Sequence, residues 1–294
     1  MAKDNQVSSV DARERARQMA AKQSKVTKKS NSGWIKATVA LLIVAIIAIV
    51  AIVMINTRKN TIEDAGPVPS SANQYGGIVI TKDGIVKDAS AEPSRDANSL
   101  QSATASHEPT AGASKEPLPL GVVDSEEAKT NKKPVQLVVF QDYNCIHCAQ
   151  FEQEYGDTIQ KLVDEGKVTL EIRNLTFLDS EYPTDYSARA ANAAYSVANQ
   201  VSTDDFLKWQ KEMFSHQGTP QKNDAIIDIA SSHGADIKKD MDENTWRPLV
   251  KVVTPESSQN GIHGTPSVFA DGQLYTSKDF TAWVNGIISA KEKS

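Results

Sequence analysis

Nineteen consecutive residues, Ala37 to Ile55, carry one polar side chain, Thr38, and no charge. As a helix this run is about 28 Å long at ~1.5 Å per residue, close to the ~30 Å hydrocarbon thickness of a bilayer. It has no polar face to turn toward water, which argues against a core helix. A cleavable leader has a shorter apolar stretch, about 7–15 residues, with a small-residue cleavage site after it. Here Asn56-Thr57-Arg58-Lys59 follows instead. The expectation is one uncleaved transmembrane helix over 37–55. It divides the chain into a tail, 1–36, an intermediate segment, 56–133, and a globular domain, 134–294.

Charge supplies an orientation. The tail holds nine Lys or Arg against three acids, +6, so a whole-chain charge of −5 leaves −11 for the rest. Basic residues stay cytoplasmic, so the N-terminus is expected inside and everything after residue 56 outside. The overall acidity argues against nucleic acid as a partner, which calls for a basic stripe. Residues 60–133 hold one aromatic, Tyr75, and six of the twelve prolines. Such a composition buries too little apolar surface to offset ordering. The expectation for 56–133 is a flexible extracytoplasmic linker with an r.m.s. reach of roughly 50 Å. Ile78-Val79-Ile80 and Gly84-Ile85-Val86 could pair as a short hairpin over 78–86.

The outer domain opens with Val135-Gln136-Leu137-Val138-Val139-Phe140, a buried-strand pattern. Cys145-Ile146-His147-Cys148 follows, then helical spacing of Phe151, Tyr155, Ile159, Leu162 and Val163, then an alternating strand at 167–172. This is a strand–helix–strand unit with a CxxC at its helix start. Four helical stretches are expected at 185–200, 205–216, 223–232 and 239–258. A β-hairpin over 265–275 and a closing helix at 279–291 complete an α/β domain with a helical insertion of about 183–260.

Two cysteines three apart at a helix start suit redox chemistry. The helix N-terminus presents unpaired N–H groups and a positive dipole end to the first sulfur. Asn144 is a suitable N-cap, and His147 can bring a positive charge near. Such surroundings lower a thiol pKa from about 8.5 toward ~3.5–7.5. A stable thiolate makes the reduced form favoured and the disulfide oxidising. Cys145 is then the exposed nucleophile and Cys148 the more buried resolving thiol. A structural disulfide would close too small a loop to constrain the unfolded chain much. Zinc would need further ligands at metal spacing, and none stands nearby in sequence. Haem attachment needs a histidine where Ala149 stands. No metal or other cofactor is therefore expected. A reducing domain or a non-catalytic binding module of the same fold remains open on these residues alone.

Several runs together resemble the DsbA-like thiol:disulfide oxidoreductases, above all the membrane-anchored actinobacterial type. They are Asp142-Tyr143-Asn144-Cys145-Ile146-His147-Cys148, Phe151-Glu152, Tyr186-Ser187-Ala188-Arg189-Ala190 and Gly261-Ile262-His263-Gly264-Thr265-Pro266. The resemblance covers about 134–290. It implies a thioredoxin-like fold with an inserted α-helical domain, a cis Pro266, and a Gly264-Thr265-Pro266 loop that pairs with an extended substrate strand. It also implies reduced exported polypeptides as substrates and a quinone-linked membrane oxidase as the reoxidising partner. Two positions depart from the family pattern. Ile146-His147 replaces the frequent Pro-His, and Val139 stands where a buried acid is often found. Asp142 is then the candidate for proton exchange with Cys148. His263, just before the loop, is a further candidate site residue.

Overall fold

The computed structural model describes residues 13–19, 21, 39–50, 61–87, 93–102, 118–181 and 184–294. They fall into two units, Met1–Thr61 and Ile62–Ser294. In the first, 13–19 and 39–50 are helical, the latter with exposed side chains. The remainder of the 37–55 run lies outside the described residues. Among the described residues no helix is long and apolar enough to cross a membrane.

The second unit is built on β5, Val135–Gln141, whose side chains are buried at every position but Gln136. A strand apolar on both faces must be covered on both, as in parallel α/β sheets. It runs parallel to β6, Val168–Asn174, with Leu137 opposite Leu170 and Gln141 opposite Asn174. The crossover is α2, Ile146–Asp164. Its Phe151 packs edge-on against Phe280 of the closing helix α8, Phe280–Glu292, ring centroids 5.2 Å apart. On the other side of β5 runs antiparallel β7, Ser267–Ala270, which places Ser267 beside Phe140. Residues 265 and 266 thereby lie at the end of β5 from which the CxxC loop departs. β8, Gln273–Leu274, extends that edge.

Between β6 and β7 stand α3 (Tyr186–Gln200), α4 (Thr203–Ser215), α5 (Asn223–Ser232), α6 (Lys238–Glu243) and α7 (Arg247–Gln259). Buried alanines at 188, 190, 191, 193, 194 and 198 make α3 thin enough to be enclosed. The helix expected over 239–258 is two. α6 stops at Asn244, in the left-handed region at φ 55°, and α7 restarts with Pro248 in its first turn. Asn tolerates that conformation, and a proline at a helix start forfeits no hydrogen bond.

The linker expectation is corrected wherever 56–133 is described. β2 (Gly77–Thr81) and β3 (Gly84–Ile85) form the hairpin, and β2 adds antiparallel to β6 with Ile78 opposite Ile172. The sheet order is β3-β2-β6-β5-β7-β8. Ile78 and Ile80 are fully buried. A separate two-stranded sheet joins β1, Ala65–Pro67, to β4, Ser94–Asp96. A short helix, α1 (Ser125–Thr130), leads into β5. Average composition hides this docking because part of its attachment is polar. Asn73 donates to Glu171 at 2.8 Å, and the Arg173 guanidinium lies between the Tyr75 and Phe140 rings, 5.1 and 5.0 Å from their centroids. Gly76, at φ +74°, lets the chain pass where a Cβ would stand 2.2 Å from Val253.

Candidate functional site

The CxxC loop turns out of β5 through a tight turn. The Cys145 N–H donates to the Asp142 carbonyl at 3.0 Å, and the Asn144 N–H donates to Asp142 Oδ1 at 2.9 Å. α2 then begins with Cys145 itself as N-cap, without a side-chain capping bond. Asn144 is thus not the cap. It is buried one step earlier in the turn, and its place is taken by a sulfur that faces the orphan N–H groups of the first turn. Both cysteines are free thiols. Cys145 is 6% exposed and Cys148 2%, so the nucleophile is less open than its role suggests. Ile146 and His147 beside it are exposed.

The Thr265–Pro266 peptide is cis. The Cys145 thiol donates to the Thr265 carbonyl at 3.3 Å, joining the two loops. Gly264 is exposed, and its carbonyl accepts the Ser267 hydroxyl at 2.7 Å.

The Cys145 pKa falls to about 5, chiefly because the Cys148 thiol donates to it. Burial opposes this, and the Thr265 hydroxyl and the backbone N–H groups of Cys148 and His147 add to the lowering. The contact with the Thr265 carbonyl favours the protonated thiol, and the donors outweigh it. The contribution of His147 is its backbone N–H, whereas its side chain is turned outward, with Nδ1 3.1 Å from Gln150 Oε1. Cys148 is pushed up, first by burial and then by the neighbouring sulfur. The two thiols are thus polarised in opposite directions, as a nucleophile and a resolving group require.

Asp142 is fully buried. Its N–H donates to Cys148 Sγ at 3.5 Å. Its carboxylate accepts Ser187 Oγ at 2.6 Å, the Asn144 N–H, and the Leu178 N–H at 3.1 Å. Burial nevertheless raises its pKa to about 6. It ties the CxxC loop to the start of α3 and to the 3₁₀ turn Phe177–Ser180.

The thioredoxin family profile matches residues 130–288. The chain belongs to the thioredoxin family. Within that fold the polarised paired thiols stand at a helix start, with the carbonyl of the residue before the cis proline 3.3 Å from the first sulfur. A curated relative, the serine/threonine-protein kinase PknE of Mycobacterium tuberculosis, is 25% identical over 169 residues, 53% of this chain and 30% of the kinase. The chain therefore spans less than a third of the curated relatives it matches. Among solved structures, DsbA of M. tuberculosis is 27% identical, covering 60% of this chain and 92% of that one, TM-score 0.48. MdbA, a thiol-disulfide oxidoreductase from Corynebacterium diphtheriae, is 21% identical, covering 53% and 84%, TM-score 0.48.

One group that sequence reasoning does not single out for chemistry is Glu152. It lines a cavity of about 270 Å³ between α2 and α4, and burial raises its pKa to about 7. Gln210 Nε2 donates to it at 3.1 Å, and Gln141 Nε2 donates to both Gln210 and Asn174. A chain of amides thus runs from Glu152 to the residue before Asp142. Gly156 stands one turn on, where a Cβ would be 2.8 Å from the Glu152 carboxylate. His263 is exposed on the turn before Gly264. Among the described residues no cluster of His, Cys, Asp and Glu could hold a metal ion.

Proposed function

We propose that this chain introduces disulfide bonds into exported polypeptides from the outer face of the cell membrane, anchored by 37–55 with its N-terminus inside. The observation that carries the oxidising direction is the Cys145 pKa of about 5 beside a raised Cys148. A substrate thiolate attacks the Cys145 sulfur of the 145–148 disulfide, and Cys148 leaves and takes up a proton. A second substrate thiolate attacks the substrate sulfur of the mixed disulfide and expels Cys145 as a thiolate. The substrate has lost two electrons and the enzyme holds them as two reduced sulfurs. The low Cys145 pKa makes it a good leaving group in the second step. A quinone-linked membrane oxidase then returns the pair to the disulfide.

The extended substrate strand pairs along Gly264-Thr265-Pro266 by β-addition. Support for the membrane reading is the apolar run and the +6 tail of the sequence. The test is oxidation of a reduced, unfolded protein by the full chain, compared with Cys145→Ala, together with its potential against glutathione. A value near about −120 mV supports the oxidant, and one near about −270 mV points to a reductase.

A further inference from the structure

Only Asn260 to Gly264 separate the end of α7 from Thr265. Whatever holds that helix end therefore shares, with the β7 pairing on the other side, in fixing where Thr265 meets the Cys145 sulfur. The hold comes from sequence that precedes the region matched by the family profile. Arg95 of β4 and Glu256 of α7 form an ion pair whose side chains are 4% and 5% exposed. Arg95 also donates to the Gln74 carbonyl, and Glu256 Oε1 accepts the Gln101 N–H at 2.7 Å. Asn260 Nδ2 donates to the Gln101 carbonyl at 3.0 Å and to the Glu256 carbonyl at 2.7 Å. Desolvation opposes the attraction of a buried ion pair, so added stability is a weak explanation for one. Its Glu256, together with Asn260, instead ties Gln101 to one helix end, the end that leads to the substrate-pairing loop.

We propose that residues 93–102 are a positioning element for the thiol–disulfide reaction: through Arg95, Glu256, Gln101 and Asn260 they fix the turn that carries Thr265 against Cys145. The redox site is then completed by residues N-terminal to the thioredoxin region itself. The proposal rests on the functional reading above, in which the 264–266 loop receives substrate. Displacing reacting groups by about 1 Å can cost on the order of 10²-fold in rate, so a loosened turn should register in turnover of a bound strand.

The test uses the full chain with Asn260→Ala, and separately with Arg95→Met and Glu256→Met together. The double change removes both charges and so leaves neither buried alone. Three quantities are read: kcat and KM for oxidation of an extended peptide bearing two thiols, the Cys145 titration by ultraviolet thiolate absorbance, and the unfolding temperature. The expected result is a kcat lowered by about tenfold or more with a smaller change in KM. The Cys145 midpoint should move up from about 5 as the Thr265 hydroxyl withdraws. A lower unfolding temperature with kcat and midpoint unchanged would overturn the proposal. If the double variant does not fold, Asn260→Ala, which deletes only an amide, decides alone. An unaltered chain that fails to oxidise the peptide overturns the functional reading, and the titration still decides the positioning claim.

Discussion

Replacing Cys148 by alanine should raise the Cys145 pKa, and the structure sets how far. The fall from 9.0 to about 5 is about four pH units, roughly 5 kcal/mol at ~1.4 kcal/mol per unit. Four donors share it against burial: the Cys148 S–H first, then the Thr265 hydroxyl and the N–H groups of residues 148 and 147. A hydrogen bond to a charged acceptor contributes about 1.5–3 kcal/mol. Deleting the largest donor should then move the midpoint up by roughly 1–2 pH units. Cys148→Ser restores an O–H donor and should stay nearer to 5. His147→Ala keeps its backbone N–H and should barely move. The assay is thiolate absorbance against pH, checked by the rate of alkylation. The reasoning is refuted if His147→Ala raises the midpoint as much as Cys148→Ala, because imidazolium charge would then be the cause. It is refuted equally if Cys148→Ala leaves the midpoint where it was.

Other outcomes follow from the buried acids. Asp142 and Glu152 have folded pKa values above their ordinary ones, about 6 against 3.8 and about 7 against 4.5. Each therefore contributes stability that is full below its unfolded pKa and is lost as pH rises through its folded one. Urea unfolding of Asp142→Asn should show that the unaltered chain's relative stability falls between pH 3.8 and about 6 and is flat above. Ser187→Ala removes the 2.6 Å donor to Asp142 and should cost about 1–3 kcal/mol at neutral pH. The same measurement at acid pH, with Asp142 protonated, should show a smaller loss. Gly156→Ala normally stabilises a helix by roughly 0.5–1 kcal/mol. Here the new methyl meets Glu152, so thermal melts should show no gain.

The parts of the site that sequence exposes are those built from short-range rules. A buried strand, a CxxC and a helix-period run place Cys145 and Cys148 at a helix start with no tertiary information. Thr265 and Pro266 become legible through the family resemblance, and the structure brings them to the first sulfur. What stays hidden depends on distant partners. The burial of Asp142 is invisible until Ser187 and Leu178 close over it, and Asn144 reads as a cap until the sulfur takes the position. The source of the Cys145 shift is also hidden, because His147 is conspicuous in the sequence while the donors that matter are a thiol, a hydroxyl and two backbone groups. The 61–102 region misleads for a related reason. Its few apolar residues suffice because β6 offers them an unpaired edge, and Arg95 and Glu256 neutralise each other across 161 residues of chain.

The hairpin on β6 has a practical corollary for anyone cutting an expression fragment. A piece trimmed to the profile limits, 130–288, would discard β2 and leave the backbone groups between Leu170 and Arg173 bare along one flank of the sheet. Bare flanks of that kind recruit copies of themselves. Such a fragment is expected to clump at concentrations where one starting at Ile62 stays dispersed, and light scattering of the two would tell them apart.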